Sequence, residues 1–539
     1  MFDSFYKYLK NELLFKMNSW NFLSILISLI IFLPIFLIFY NFNIESDNWV
    51  HIKENLLEKY IFSTIYVVVG VSILSTIIGV GSAWYVTCHD FSGRKILEWI
   101  LILPMTIPTY IAAYAYYDIL ELLNPLFNWF RINIGLKETM IIESFSIYLI
   151  VIILFSFVLY PYVYLSVRAS LLLSGNRLIE SAVTLGLPAN KVFKKLILPS
   201  TKPAIIAGLS LVIMETLNDY AAVEYFGIST LTIGIFRSWF GMYDIASALK
   251  LSSYLILFVF SILIIEKIYR GKERYNNING SQNTFIKIPL KNKKIFLVFT
   301  LCFSPFIFGF LIPVVRLLTW LWYSNFNFED TNIVQISSNT IFISLLSSLF
   351  IVCIAFTINF VKNYFNNRIL KKISQLAILG YSIPGAIIAI GILKLNSHLN
   401  AFSNTLIIGS VFGLVFAYGV RFLAVAWQPI QSSMKKQCAS INNASRILSS
   451  SPTNSLFKVN FPILKKPFLI ASLIVFIDIA KELPLTLILR PFNFDTLATY
   501  TYDLINQAQF FQSSLPSLLI ILISCPAIYF INRSTRGEL

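Results

Sequence analysis

Charge is scarce in this chain. Of its 539 residues, 13% are Asp, Glu, Lys or Arg and 57% are hydrophobic, whereas a soluble domain carries about 25% charged residues. The deficit excludes a soluble protein and indicates a polytopic membrane protein. Histidine and cysteine are also sparse. His51, His89 and His398 are scattered, and Cys88, Cys302, Cys353, Cys438 and Cys525 form no C-x-x-C pair, so neither a thiolate metal site nor a disulfide framework is indicated. No H-E-x-x-H and no G-x-x-x-x-G-K-[ST] occurs, so the marks of a zinc protease and of a nucleotide-phosphate loop are both missing. No cofactor is expected on this chain, and no metal site is assigned.

What the chain does have is apolar length. A bilayer crossing takes about 20 residues, and twelve runs reach it: 20–40, 61–87, 97–120, 145–167, 203–226, 246–268, 295–323, 336–361, 373–395, 403–427, 467–489 and 514–532. An all-α membrane protein of about 12 transmembrane helices is therefore expected. The first run is not read as a cleavable signal, because it has aromatic bulk, contains Pro34 and lacks a small-residue cleavage site. The net charge of +16 could suit nucleic acid. However, the Lys and Arg cluster in short loops between apolar runs, at 168–202, 266–294 and 428–467, which is the positive-inside pattern. With six spans per half, all three loops fall on one side, both termini are expected in the cytoplasm, and no nucleic-acid partner is expected.

The halves repeat. Pro199 and Pro462 lie 263 residues apart, and the same step takes Glu215 to Asp478 and Asp219 to Glu482. Each half has a basic loop, then Leu-Pro or Phe-Pro, then a span containing acids. This order implies parallel repeats about an axis along the membrane normal. The expected organisation is 1–60 for the N-terminal tail and first span, 61–268 for the first repeat and 269–294 for a cytoplasmic linker. Residues 295–335 follow as the seventh span and outer loop, and 336–532 form the second repeat. The polar stretch around Arg274 to Asn283 is the joint, too short for a domain.

The basic loop ESAVTLGLPANKVFKKLILP, Glu180 to Pro199, reads as a short helix, a stop and a second short helix. Leu178, Ala182 and Leu185 share a face, Gly186 lets the chain leave the helix, and Pro199 is expected to end the second helix. Such an elbow at the mouth of membrane helices is a handle for a soluble partner. Glu180, Ser181, Ala182, Gly186, Leu196, Leu198 and Pro199 resemble the EAA loop of ABC-transporter permeases: E-A-A, three residues, G, nine residues, I-x-L-P. The second loop departs from that pattern. Asn443 stands in place of Glu180 and Ser449 in place of Gly186, while Ala444, Phe461 and Pro462 persist.

Glu215, Asp219, Asp478, Lys481 and Glu482 lie about 13 to 20 residues beyond the loops, roughly 20–30 Å along a helix. Ionisable groups at such depth face the bundle interior or water. Two readings stand: a polar lining on a cation route, or a self-neutralised pair of Lys481 with an acid that fixes packing. Arg168 and Arg421 end spans before the basic loops and are read as interfacial, snorkelling arginines. On the outer face, the segments 219–244 and 483–504 are short and polar-aromatic, and Arg490, Asn493 and Asp495 are candidates for an outer gate or a binding-protein contact.

The run Lys481 to Thr499 (KELPLTLILRPFNFDTLAT) and the run Glu215 to Gly227 (ETLNDYAAVEYFG) resemble the ferric-iron branch of the ABC permeases, as does the fusion of both halves. The resemblance covers about residues 20 to 532 and implies a type I importer permease in the inner membrane of a bacterium. It implies two copies of a cytosolic ABC ATPase that hold the ATP, and an external iron-binding protein that delivers iron(III). No covalent chemistry on this chain is implied. The alternatives are a permease for another small solute such as thiamine, and a secondary transporter that uses the intramembrane acids as ion sites. A membrane-embedded enzyme finds no ligand cluster or nucleophile–base pair to support it.

Overall fold

The computed structural model describes residues 18–40, 46–184, 189–270, 288–290, 292–324, 332–403, 409–436, 439–447 and 451–535. These form two compact units. One is drawn from Ser46–Asn325, the other from Phe326–Leu539 together with the N-terminal helix Ser19–Tyr40. Nearly every described element is helical. Hydrocarbon offers no water to a backbone N–H or C=O, and a helix satisfies them within the segment.

Nine helices among the described residues are long and apolar enough to cross a membrane: Ser19–Tyr40, Leu57–Cys88, Leu136–Leu172, Phe193–Asn218, Ile245–Ile265, Val298–Tyr323, Ile333–Phe365, Val411–Met434 and Phe510–Phe530. Two further candidates are bent pairs, Arg94–Thr106 with Thr109–Ala115 at 90° and Arg368–Ser382 with Gly385–Leu399 at 118°. All eleven fall on runs named from hydropathy. The remaining run, 467–489, is divided between helix Lys465–Ala480 and helix Pro484–Leu489. Run 203–226 is divided in the same way, between helix Leu198–Asn218 and helix Ala221–Tyr225, so about 12 expected spans meet nine candidate spans among the described residues, or eleven with each bent pair taken as one. Hydropathy measures apolar length and does not register a change of direction. Both bent pairs turn at an Ile-Pro step. Ile107 (φ −89°, ψ 122°) and Ile383 (φ −104°, ψ 130°) are extended, as the ring of a following proline requires.

Pro199 does not end a helix, contrary to expectation. Helix Ala189–Val192 passes through a π-helical turn, Phe193–Ile197, directly into helix Leu198–Asn218, with Pro199 in its first turn. The same sequence of elements recurs twice: π-turn Ile307–Leu311 before Pro313, and π-turn Ser455–Asn460 before Pro462. A proline has no N–H to donate, and its ring collides with the carbonyl four residues back. A π-turn moves that carbonyl and absorbs the missing bond, so the helix axis passes through the proline.

In the unit drawn from Ser46–Asn325, helix Leu57–Cys88 lies along the 49-residue helix Leu136–Thr184, and Leu198–Asn218 packs on both. A two-residue parallel pairing joins His89–Asp90 to Ile288–Pro289. In the other unit, helix Ile333–Phe365 packs on Val411–Lys436 and Lys465–Ala480. The N-terminal helix seats against Arg368–Ala377 and Gly385–Ser403 of that unit. Its buried stripe, Asn21, Ser24, Ser28, Ile31, Ile35 and Ile38, alternates steps of three and four, the spacing of one helix seam. Small side chains on the N-terminal part of the seam permit close approach, as is usual between membrane helices. At the C-terminal part the small residue comes from the facing helix: a Cβ at Gly391 would lie 2.6 Å from the Pro34 carbonyl oxygen.

Gly391→Leu should therefore unseat the N-terminal helix. Overpacking of this kind costs about 1–3 kcal/mol, so thermal unfolding of the detergent-solubilised protein should move down. An unchanged midpoint would refute this seam.

Candidate functional site

The first elbow is built from the extended ends of two membrane helices. Helix Leu136–Thr184 continues past its apolar span, Leu136–Leu172, by twelve residues, or about 18 Å. Glu180, Ser181 and Ala182 ride on its last two turns. Gly186 lies outside the described residues. The returning arm starts at Ala189 and carries Leu198 and Pro199, both exposed, into the membrane without a break. A displacement at the elbow is thus applied to rigid rods.

The second elbow is built differently. Helix Ala439–Ile447 carries Asn443 and the exposed Ala444, and Ser449 lies outside the described residues. The chain resumes at Ser451, whose hydroxyl accepts the Asn454 N–H at 3.2 Å and caps the next helical turn. The rod then runs through the π-turn to the exposed Pro462. One contact ties the two arms of this elbow to each other and another holds it to its unit. The Ser445 hydroxyl donates to Ser455 at 2.9 Å, both buried, and the Arg446 guanidinium sits 4.3 Å from the centre of the Tyr364 ring.

Each rod ends at an acid. Helix Leu198–Asn218 stops at Asp219, which is extended and buried. Its carboxylate accepts the hydroxyl of Thr109 and, at 2.9 Å, the N–H of Ala222. Thr109 is the first residue of the second limb of the bent pair. Glu482 occupies the same place in the repeat. Its Oε1 accepts the N–H of Leu485 at 3.0 Å and Arg421 Nη1 at 2.9 Å. Each acid therefore caps the short helix three residues on and also holds a second element. Glu215 is half-buried one turn before Asp219. Its repeat partner Asp478 is buried and pairs with Lys481 at 3.1 Å, the self-neutralising geometry weighed from sequence.

Two arginines expected to snorkel do not. Arg421 is 3% exposed and bound to Glu482. Arg168 reaches the buried Glu98 at 3.2 Å, and Arg94 holds the same carboxylate at 2.5 Å. Their position near span ends suggested an interface, but a carboxylate within reach inside the bundle draws the guanidinium inward. Glu98, Thr109 and Gly385 escaped the sequence reading; the Ile-Pro steps beside Thr109 and Gly385 were the signal for two of them.

The segments 219–244 and 483–504 repeat at atomic detail. Thr230 caps helix Leu231–Phe236 and Thr496 caps helix Leu497–Asn506. The N–H of Leu231 donates to the Thr64 hydroxyl at 2.9 Å, and that of Leu497 to Thr340 at 2.8 Å. Ahead of the second cap, Asn493 is exposed with φ 58° and turns the chain. Arg490 then pairs with Asp495 and, at 3.1 Å, with Asp503. Burial raises the Asp503 carboxyl, Arg490 opposes that and Asp495 reinforces it, so the group lies above the usual carboxylate range. At the end of the first of these segments, burial raises Asp244, but hydrogen bonds from Ser46, Ser247 and Asn48 outweigh it and hold the group below that range. Among the described residues, no three His, Cys, Asp or Glu side chains are placed to hold a metal ion.

Residues 75–271 match the family described as binding-protein-dependent transport system inner membrane component. The chain is 24% identical to the Fe(3+)-transport system permease protein FbpB 2 of Haemophilus influenzae, over 88% of this chain and 90% of that one. It is 29% identical to the sulfate transport system permease protein CysT of Salmonella typhimurium over 29% of this chain and 53% of the relative. It is 25% identical to the spermidine/putrescine transport system permease protein PotB of Haemophilus influenzae over 41% and 80%.

Arg421→Met leaves the Glu482 carboxylate buried without its cation and should cost about 3–5 kcal/mol. Adding Glu482→Met should recover most of that loss. Thermal unfolding of both variants in detergent tests the pair, and a double variant no better than the single one would rule it out.

Proposed function

We infer that this chain, a member of the binding-protein-dependent transport system inner membrane family, is the membrane-spanning subunit of an ATP-driven importer of iron(III). The observation that carries the substrate is coverage. The relative whose printed name specifies Fe(3+) transport is matched over 88% of this chain, both halves included, whereas the sulfate permeases of Salmonella typhimurium and Marchantia polymorpha are matched over 29% and 46% of it.

In this reading the elbows, with Glu180, Ser181, Ala182, Gly186, Leu198 and Pro199 in one and Asn443, Ala444, Ser449 and Pro462 in the other, receive two copies of a cytosolic ATPase. ATP binds to those partners, and this chain performs no covalent chemistry. Both termini lie in the cytoplasm, in line with the basic loops. The outer segments, with Arg490, Asn493 and Asp495, face an external iron-binding protein. Each partner favours one conformation of the permease, because a ligand with equal affinity for both states shifts nothing.

Among the intramembrane groups, Glu215 and the Asp478–Lys481 ion pair are assigned to the route. Asp219 and Glu482 already spend their carboxylates on backbone N–H groups and neighbouring side chains and are assigned to the joints that shape it. Oxygen donors suit a hard trivalent cation.

Proteoliposomes that hold this chain, its ATPase and its binding protein should take up radioactive iron only with ATP. Uptake without the ATPase would establish a secondary transporter instead, and uptake of sulfate in place of iron would reassign the substrate. Glu215→Gln with Asp478→Asn should reduce iron uptake and leave binding-protein docking intact. Undiminished uptake in that double variant would make these acids packing groups.

A further inference from the structure

One cluster of polar side chains belongs to the first half alone. In the unit drawn from Ser46–Asn325, helix Thr109–Ala115, the second limb of the bent pair, packs on the short helix Ala221–Tyr225 that follows the break at Asp219. Tyrosines and one acid meet there. The ring centres of Tyr110 and Tyr114 lie 5.9 Å apart, and Tyr114 meets Tyr225 edge-on at 4.8 Å. The Tyr220 hydroxyl donates to Glu224 Oε1 at 2.6 Å, and its ring stacks on Phe236 at 3.6 Å. Tyr110, Tyr114 and Tyr220 are 5%, 2% and 6% exposed, so they are not the headgroup anchors that tyrosine supplies at a membrane surface. Glu224 and Tyr225 are half-buried, which leaves both partly open.

The second half serves as an internal control. There helix Gly385–Ser403 packs on the short helix Pro484–Leu489. A step of 276 residues relates Thr64 to Thr340 and Pro108 to Pro384, and it takes Tyr110 to Ala386 and Tyr114 to Ile390. The later step of 263 takes Ala221 to Pro484, the first residues of the two short helices. It leads from Tyr220, Glu224 and Tyr225 to Leu483, Leu487 and Ile488. Each position keeps its burial: Ala386, Ile390 and Leu483 are buried, Leu487 and Ile488 half-buried. Each loses its side-chain oxygen. The joint is therefore packed equally well without a hydroxyl or a carboxylate, and the apolar version avoids the cost of burying polar groups. Packing does not account for the oxygens that the first half retains.

What those oxygens offer is a ligand set for a hard cation. Carboxylate oxygen suits such an ion, and so does phenolate oxygen, because a bound multivalent cation displaces a proton that the group would keep in water. Each phenol that joins the ion releases one proton to solvent and supplies one anionic oxygen. Phenols lie outside the His, Cys, Asp and Glu set that yields no metal cluster among the described residues. We propose that iron(III) is contacted during its passage by the Glu224 carboxylate and by the phenols of Tyr225, Tyr114 and Tyr110, and that the first half alone carries this substrate site. The half-buried Glu224 and Tyr225 are its accessible members. Tyr220 is a positioning residue, since its hydroxyl holds the Glu224 carboxylate as an outer hydrogen bond holds a ligating group. Iron enters and leaves the site as iron(III), with no change of oxidation state.

The site rests on the import of iron(III) inferred above, and two measurements keep the two apart. The purified full chain, without partners, is titrated with iron(III) nitrilotriacetate. A phenolate bound to iron(III) absorbs visible light by charge transfer, whereas gallium(III) has the same charge and no such band. The parental chain should develop the band and lose it when gallium(III) competes. Tyr110→Phe, Tyr114→Phe and Tyr225→Phe together keep every ring, remove only the oxygens and should abolish it. In proteoliposomes with the ATPase and the binding protein, the triple variant and Glu224→Gln should each lower iron uptake about ten-fold or more, with both partners still docking. Tyr220→Phe should weaken iron binding about ten-fold. If the triple variant does not accumulate in the membrane, Tyr114→Phe and Tyr225→Phe singly should each weaken the band and slow uptake. No band in the parental chain, a band that survives loss of the phenols (an adventitious ion only), or undiminished uptake in the variants (binding at titration concentration only) overturns the proposal. A parental complex that moves iron without ATP, or moves no iron, overturns the functional reading instead, and the titration still decides the site.

Discussion

The constraint on which this molecule turns is that a membrane helix cannot be interrupted without leaving backbone groups unpaired in hydrocarbon. The chain nonetheless bends two of its apolar runs and breaks two others, 203–226 and 467–489, at an acid that partners the break. Where Leu198–Asn218 stops, Asp219 takes the N–H of Ala222 and the hydroxyl of Thr109. Where Lys465–Ala480 stops, Glu482 takes the N–H of Leu485 and the guanidinium of Arg421. An intramembrane carboxylate is expensive by itself, but here the same charge satisfies a helix end and holds a second element, the bent pair at Thr109 in one half and helix Val411–Lys436 at Arg421 in the other. The cost of the acid and the cost of the break are set against each other at one point.

Three prolines meet the constraint by another route. Pro199, Pro313 and Pro462 each follow a π-turn, in which the lost N–H is absorbed; the helix runs on through Pro199 and Pro313 and leaves helical geometry at Leu464, two residues after Pro462. The chain therefore treats two classes of proline differently. Those preceded by a π-turn carry the helix through the proline. Those in the Ile-Pro steps at Pro108 and Pro384 bend it by 90° and 118°. A lever connected to a hinge needs both kinds.

The membrane class, the repeat and the location of the acids were legible in residue order because they are properties of period and spacing. Apolar length marks a span whatever its direction, and a step of 263 residues leads from Asp219 to Glu482 without any knowledge of contacts. The bends were not legible by that measure, since hydropathy is a sum along the chain. Nor was the partner of each acid, because Thr109 comes from a segment that repeats at 276 residues, and Arg421 stands where the step of 263 finds Val158 in the first half. The two steps differ because the stretch from Thr109 to Arg168 is 13 residues longer than that from Gly385 to Gln431. The first stretch contains helix Tyr117–Asn133 with its Gly135 turn. A single spacing applied to the whole chain misaligns Thr109 with its counterpart and conceals the joint. Arg421 was misread for a related reason. An arginine near the end of an apolar run is interfacial unless a carboxylate meets it inside, and that carboxylate lies 61 residues away in sequence.

Fusion of two homologous halves removes the requirement that they remain identical, and the differences observed are of the kind that symmetry would forbid. A homodimer would carry the same tie twice and bend in the same place on both sides. Here the elbow with Glu180 leads into a helix fixed by Arg168 to the start of the first broken span. The elbow with Asn443 has its two arms joined by Ser445 on Ser455 and is held to its own unit by Arg446 on Tyr364, an aromatic ring at the end of helix Ile333–Phe365.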